Sequence, residues 1–353
     1  MVRTTVTLFF CLMYMASAAA KDSFYEADNK LIQYTGRIDF TDPKKPRFWT
    51  AGVYIQAKFE GTYCEIIVND EMLWGNSHNY LAIIVDNQAP IKVKLTGRTN
   101  TITAIKGLSK GAHTITICKN TEALIGYLEF VGLKCQKLLP LPARPVHKIE
   151  FIGNSITSGM GSDLASVACD KGVWYDQHNA WLAYGPITAR ALNAQWHLTS
   201  ESGIGLIHNC CDKPFLMPRV FNKVSLSQDS IVWDFTRYQP DVVTICLGQN
   251  DGIQDSLKFT SAYIDFLKTL RGYYPQAQLV CLTSPMANDG LRKVLKNYIT
   301  GVVTHVQAQG DQRVDKFFFS RGFNKGCGAH PDLDDHQNIA AELTAYLKKK
   351  MNW

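Results

Sequence analysis

Lys148-Ile149-Glu150-Phe151-Ile152-Gly153-Asn154-Ser155-Ile156-Thr157-Ser158-Gly159 is the stretch on which the fold turns. Lys148 to Ile152 reads as a short buried strand. Glycine and a small polar pair follow at once, so the chain turns there from strand to helix. Ser155 falls on that turn, with its hydroxyl exposed and its own N–H free at a helix start. An ordinary serine N-cap would read the same way, so the stretch by itself leaves both roles open.

Toward the C-terminus strands and helices alternate. Gln195 to Thr199, Val242 to Leu247, Gln278 to Leu282 and Val314 to Phe319 read as strands. Trp181 to Leu192, Ser256 to Leu270, Leu291 to Gln307 and Asp332 to Lys350 carry helical spacing. Such alternation predicts an α/β fold, a parallel sheet sandwiched by helices on both faces. Reactive groups in such sheets gather at the carboxyl ends of the strands.

Toward the N-terminus the pattern changes. Val53 to Phe59, Cys64 to Val68, Tyr80 to Asp86, His113 to Cys118 and Tyr127 to Leu133 alternate at about period two. Asn, Asp and Gly clusters separate them, which predicts a β-sandwich of the jelly-roll kind over residues 21–139. Pro140, Pro142 and Pro145 mark a stiff linker over 140–147, and the α/β domain is expected over 148–353. Residues 1–20 read as a signal peptide: Arg3, an apolar run from Val6 to Met15, then small residues. Export to a periplasm or the medium is the expectation, with no membrane contact after cleavage.

Four short blocks stand where a site would be built. Ser155 lies in the first. Ser202-Gly203-Ile204-Gly205 follows the strand ending at Thr199, and Gly203 lets a backbone N–H approach a ligand closely. Gly248-Gln249-Asn250-Asp251 ends the apolar strand from Val242, and Asn250 offers an amide donor. Gly328-Ala329-His330-Pro331 precedes the last helix, and proline holds His330 extended on a loop. Alone, the first block is as well an ordinary helix cap, and the other three read more readily as turn chemistry or a surface loop. Together, and in this order, they resemble the blocks of the SGNH/GDSL hydrolase superfamily over about residues 148 to 350. A jelly roll placed before them is similar to carbohydrate esterase family 2, the acetylxylan esterase type.

The resemblance implies a secreted serine esterase that removes O-acetyl groups from plant polysaccharide, acetylated xylan or glucomannan, through an acyl-serine intermediate. Ser155 would be the nucleophile and His330 its base. The oxyanion would take donors from the Ser155 N–H, the Gly203 N–H and the Asn250 side chain. No cofactor or metal is implied. One departure stands out. The superfamily often has an Asp two or three residues before the histidine, where this chain has Gly328 and Cys327. A Ser155–His330 dyad with a backbone carbonyl orienting the ring is one reading, and Asp332 or Asp334 as the acid is another. His336 competes with His330, but it falls inside the expected helix. Trp74, Trp174, Tyr175 and Trp181 are candidates to stack on sugar, although aromatics more often fill cores.

Other classes stay open. A carbohydrate-binding protein with a silent hydrolase domain would keep the same sandwich. A lipase or thioesterase would keep the same four blocks, but no long apolar insertion suggests a lid. The net charge of +6 forms no long basic run, and Lys348 to Lys350 reads as a helix end, so nucleic acid is not an expected partner. Removing Cys11 with the leader leaves nine cysteines, so at least one thiol stays free. Cys246 and Cys281 sit in apolar strands; Cys169, Cys210, Cys211 and Cys327 are the better bridge candidates.

Overall fold

In the computed structural model the described residues are 22–353 apart from Lys106. The expected leader therefore lies outside them. Nine antiparallel strands form the first layer: β1 (Ser23–Glu26), β2 (Gln33–Thr35), β3 (Arg47–Phe48), β4 (Tyr54–Asp70), β5 (Tyr80–Val85), β6 (Ile91–Lys94), β7 (Thr99–Thr103), β8 (Ala112–Lys119) and β9 (Leu128–Leu139). The main path runs β1-β9-β4-β8-β5-β6, with β2 and β7 on β4 and β3 on β9.

The two strands expected at Val53–Phe59 and Cys64–Val68 are one. β4 spans 17 residues and stays alternately buried along its length. β9 pairs with both halves, and a register shift between Glu60 and Cys64 absorbs the extra residues. A bulge bends a strand without ending it, so Gly61 reads as a break only in one dimension. Ile55, Ala57, Phe59, Cys64, Ile66 and Val68 from this strand enter the sandwich core.

The second layer is a five-stranded parallel sheet in the order β11-β10-β12-β13-β14. Its strands are β10 (His147–Gly153), β11 (Ala194–Ser200), β12 (Val242–Ile245), β13 (Gln278–Leu282) and β14 (Val314–Phe317). The helices are α1 (Ser155–Ser158), α2 (Tyr184–Ala191), α3 (Met217–Val220), α4 (Ser256–Tyr273), α5 (Asp289–Ala308) and α6 (Leu333–Met351). Apolar residues of α3, α4 and α5 pack in one core, and those of α2 and α6 pack in another. Helix starts are set by side chains: Asp255, Asn288 and Asp332 each accept a first-turn N–H. The helix expected over Trp181–Leu192 is shorter. A 3₁₀ turn at Ala180–Leu182 and an extended Ala183 precede α2. Pro186 then sits in the first turn, where its missing N–H removes no helical bond.

The two layers share a core. Ala51, Tyr54, Ala82, Ile84 and Cys118 of the sandwich pack with Phe151, Trp196 and Leu198 of the parallel sheet. Tyr54 stacks on Trp196 at 4.1 Å between centroids, a contact worth about 0.5–1.5 kcal/mol beyond its buried area. Arg37 and Glu150 form an ion pair at 2.8 Å with both side chains almost wholly buried. Thr199 and Tyr274 also donate to the Glu150 carboxylate, which offsets its desolvation. Between β9 and β10 the proline segment is irregular, and Arg144 from it donates to Tyr34 O and Thr35 Oγ1.

Candidate active site

The chain leaves β10 for β11 on one side and then returns to β12 on the other. That reversal opens a crevice at the carboxyl ends of these three strands. Ser155 follows β10, Gly203 follows β11 and Asn250 follows β12, so the topology brings three of the four blocks to one place. His330 arrives from the loop before α6. All four residues line a single cavity of about 580 Å³.

Ser155 is the first residue of α1, and its N–H has no acceptor within the helix. Asn154, not Ser155, is the cap: its side chain accepts the Ile156 N–H at 3.2 Å. The hydroxyl is thus left for other chemistry. Gly153 permits the tight turn, since a Cβ there would lie 2.0 Å from Thr157 Oγ1. His330 Nε2 stands 2.8 Å from Ser155 Oγ. The backbone of His330 is extended, as the following proline requires.

The other ring nitrogen decides the tautomer. His330 Nδ1 lies 3.1 Å from Gly328 O and 3.2 Å from Cys327 O. Both are carbonyls, so Nδ1 carries the proton and Nε2 is the free base facing Ser155. Gly328 and Ala329 adopt left-handed conformations, φ 59 and 58, which turn the loop back over the ring. Burial pushes the His330 pKa below its ordinary value, against the opposing pull of the two carbonyls. Asp332 is occupied elsewhere: its carboxylate caps α6 by accepting the Asp335 N–H at 2.8 Å. Asp334 is exposed on the first turn of α6. No carboxylate hydrogen-bonds His330 among the described residues.

Gly203 has φ +81, and a Cβ there would meet Lys213 Cδ at 2.9 Å and Cys210 Sγ at 3.2 Å. Only glycine fits without strain. Asn250 donates one amide N–H to Ile204 O at 2.8 Å, which fixes the side chain and leaves its second N–H. Asp251 does more than make a turn. Its buried carboxylate accepts the N–H groups of Leu206, Ile207 and His208, tying the third block to the second.

Of the aromatic candidates only Trp174 lines this cavity, where it is half exposed. Trp74 is 86% exposed and stands outside the cavity, Tyr175 is buried, and Trp181 lies under Arg190 at a separate depression. Cys169 and Cys327 form a disulfide, which ties the Trp174 loop to the His330 loop. Cys210 and Cys211 bridge each other on the cavity wall. Cys246 and Cys281 are buried free thiols.

Several cavity residues carry no sequence signal. Leu124 comes from the sandwich, and Met160, Met286 and Lys213 come from loops. Behind the wall, Glu122 from the turn after β8 hydrogen-bonds the cavity residue Ser202 and the buried His178. None sits in a motif, and periodicity says nothing about loops that meet only in three dimensions.

The family models fit this arrangement. The carbohydrate esterase 2 N-terminal model matches residues 34–142, and the GDSL-like lipase/acylhydrolase model matches residues 151–337. The cellulase/esterase CelE of Acetivibrio thermocellus is 33% identical over 340 residues, covering 93% of this chain and 40% of that protein. This chain therefore spans well under half of CelE. An acetylxylan esterase/glucomannan deacetylase of Cellvibrio japonicus is 29% identical, covering 93% of this chain and 91% of the relative. A family two carbohydrate esterase from Clostridium thermocellum, solved in complex with cellohexaose, superposes with a TM-score of 0.83 at 32% identity, covering 91% of this chain and 99% of that one. Fold and site define a hydrolase of the GDSL type. The chain belongs to the GDSL-like lipase/acylhydrolase family and, with its N-terminal sandwich, to carbohydrate esterase family 2.

Proposed function

We propose that the protein is an exported serine esterase that removes acetyl groups from plant cell-wall polysaccharide. The observation that carries the reading is the 2.8 Å approach of His330 Nε2 to Ser155 Oγ, with Nδ1 held by two carbonyls. His330 takes the Ser155 proton as Oγ attacks the acetyl carbonyl carbon. Negative charge grows on the carbonyl oxygen. The Ser155 N–H, the Gly203 N–H and the second Asn250 amide N–H are the donors assigned to it in this reading. The intermediate collapses, His330 returns its proton to the leaving sugar oxygen, and acetyl stays on Ser155. Water, activated by the same imidazole, then releases acetate.

No acid completes a triad in this scheme. A carbonyl dipole holds the tautomer but stabilises the imidazolium less than a full negative charge would. The cavity has room for an acetyl group and a sugar, and Trp174 offers a face for stacking. Acetylated xylan or glucomannan is the proposed substrate, as the name of the Cellvibrio relative suggests. The apolar leader over residues 1–20 supports export.

The test is acetate release from acetylated xylan and acetylated glucomannan by wild type and Ser155→Ala. Release by wild type alone supports the reading. Equal release by both removes Ser155 as nucleophile. A second reading has support in the neighbour solved with cellohexaose: the same cleft could hold an unacetylated glucan without turning it over. Cello-oligosaccharide binding by a wild type that releases no acetate would favour it.

A further inference from the structure

Glu122 belongs to the sandwich, yet its carboxylate ends directly behind the active-site cavity, against Ser202 of its wall. It precedes a 3₁₀ turn at Ala123–Ile125, between β8 and β9, and is fully buried. Lys119 Nζ anchors that turn by donating to Thr121 O at 2.7 Å and Glu122 O at 3.1 Å. Glu122 Oε2 accepts the Ser202 N–H at 2.5 Å. Glu122 Oε1 accepts from His178 Nε2 at 3.2 Å. The His178 ring meets Trp174 edge-on at 5.0 Å. One carboxylate therefore joins the glycine block on one side to the aromatic wall on the other.

Its place in the chain of contacts is specific. Ser202 directly precedes Gly203, so fixing the Ser202 N–H limits rotation of the peptide that carries the Gly203 N–H. Gly203 has no side chain to hold its peptide, and its left-handed φ of 81 must be kept by contacts of its neighbours. A charged acceptor on a buried N–H is about twice as strong as a neutral one. Burial works to raise the Glu122 pKa, but His178 and the Ser202 N–H outweigh it and hold the carboxyl below its ordinary value. The group is thus an anion whenever the enzyme would work. Leu124, two residues on, lines the same cavity.

We propose that Glu122 is a positioning residue for ester hydrolysis: it aims the Gly203 N–H at the oxyanion, and so makes the sandwich part of the catalytic apparatus. The inference rests on the esterase reading. It assigns the N-terminal layer a role in turnover as well as any role in holding glycan.

The experiment compares full-length wild type, Glu122→Gln and Glu122→Ala on p-nitrophenyl acetate, with inhibition by phenylboronic acid as a second readout. The boronate forms a tetrahedral adduct on a serine hydroxyl, so its affinity reports the oxyanion donors. Glu122→Ala is expected to lower kcat by about tenfold or more with KM within threefold, and to weaken the boronate in parallel. Glu122→Gln keeps an oxygen for the Ser202 N–H and should recover part of the loss. It is isosteric, so it carries the test where Glu122→Ala does not fold. Folded variants with kcat and boronate affinity within twofold of wild type would overturn the proposal. So would a loss that appears wholly in KM. An inactive wild type would overturn both this inference and the esterase reading, whereas an active wild type with unaffected variants would overturn this inference alone.

Discussion

His330 and His336 stand six residues apart, one on the loop before α6 and the other on its first turns. Their environments could hardly differ more. His330 is partly open to the cavity, its Nδ1 faces carbonyls and its Nε2 faces Ser155. His336 is fully buried, and its Nδ1 accepts the Tyr184 N–H at 3.1 Å. The tautomers are therefore opposite: Nδ1 is protonated in His330, and Nε2 in His336. Burial and the nearby His330 push the His336 pKa down to about 3. A histidine held neutral that firmly cannot shuttle a proton. Role follows from which nitrogen the backbone occupies, because both rings start with the same intrinsic chemistry.

The largest effect is expected from His330→Ala. It should lower kcat by at least about a thousandfold on p-nitrophenyl acetate, with folding intact by circular dichroism. Activity within tenfold of wild type would remove His330 as the base. Asn250→Ala comes next, with an expected loss of about a hundredfold in kcat. A change below fivefold would mean that the side chain serves only to hold Ile204.

His336→Ala should show the opposite pattern. Removing the ring leaves a cavity and orphans the Tyr184 N–H, so urea unfolding should report a loss of about 2–4 kcal/mol. Turnover of the folded fraction should stay within about fivefold. A thousandfold loss of kcat at unchanged stability would exchange the two roles. Asp332→Ala should cost about 1 kcal/mol of stability through its lost cap, and activity should stay within about threefold. Asp334→Ala should change neither appreciably. A loss in either variant approaching that of His330→Ala would restore an acid to the site.

The smallest expected effect is on pH. Because the His330 pKa lies below 6.5, its neutral form persists to lower pH, and the acid limb of kcat/KM should have its midpoint below 6.5. A midpoint above 7 would contradict that. Stability carries the same sign. His330, His336 and the buried His197 all have folded pKa values below 6.5. The unfolded chain takes up those protons first, so stability falls as pH drops below 6.5. His113 works the other way, since its bond to Asp86 raises its pKa. The His336 shift, down to about 3, is large enough to set the sign, so melting temperature should decline from pH 7 to pH 5. Replacing His336 with Asn should flatten the decline.

Much of the parallel layer was legible because its signals are local. A buried strand is four to seven apolar-rich residues, and a capped helix start is a short polar pattern. β10 through β14 and α4 through α6 lie within a few residues of where periodicity puts them. The sandwich was less legible. β1, β2, β3, β6 and β7 are short, and several lie at edges where one face meets water, so alternation fades. In sequence β4 reads as two strands, because a bulge looks like a turn until its partner strand is known.

The candidate site divides along the same line. Ser155, Gly203, Asn250 and His330 stood out as candidates through the order of the four blocks and their resemblance to the hydrolase superfamily, with a glycine or proline shaping each turn. Those constraints act on the backbone within a few residues and need no partner. What the tertiary structure alone decided is how the blocks meet and what holds them. Only the strand order puts three blocks in one crevice. Only the left-handed loop shows that carbonyls, and not Asp332 or Asp334, face His330 Nδ1. Glu122 reaches Ser202 across 80 residues, and Cys169 reaches Cys327 across 158. A carboxylate or a thiol carries no mark in sequence of the distant group it will meet, because that partner is chosen by packing and not by its neighbours in the chain.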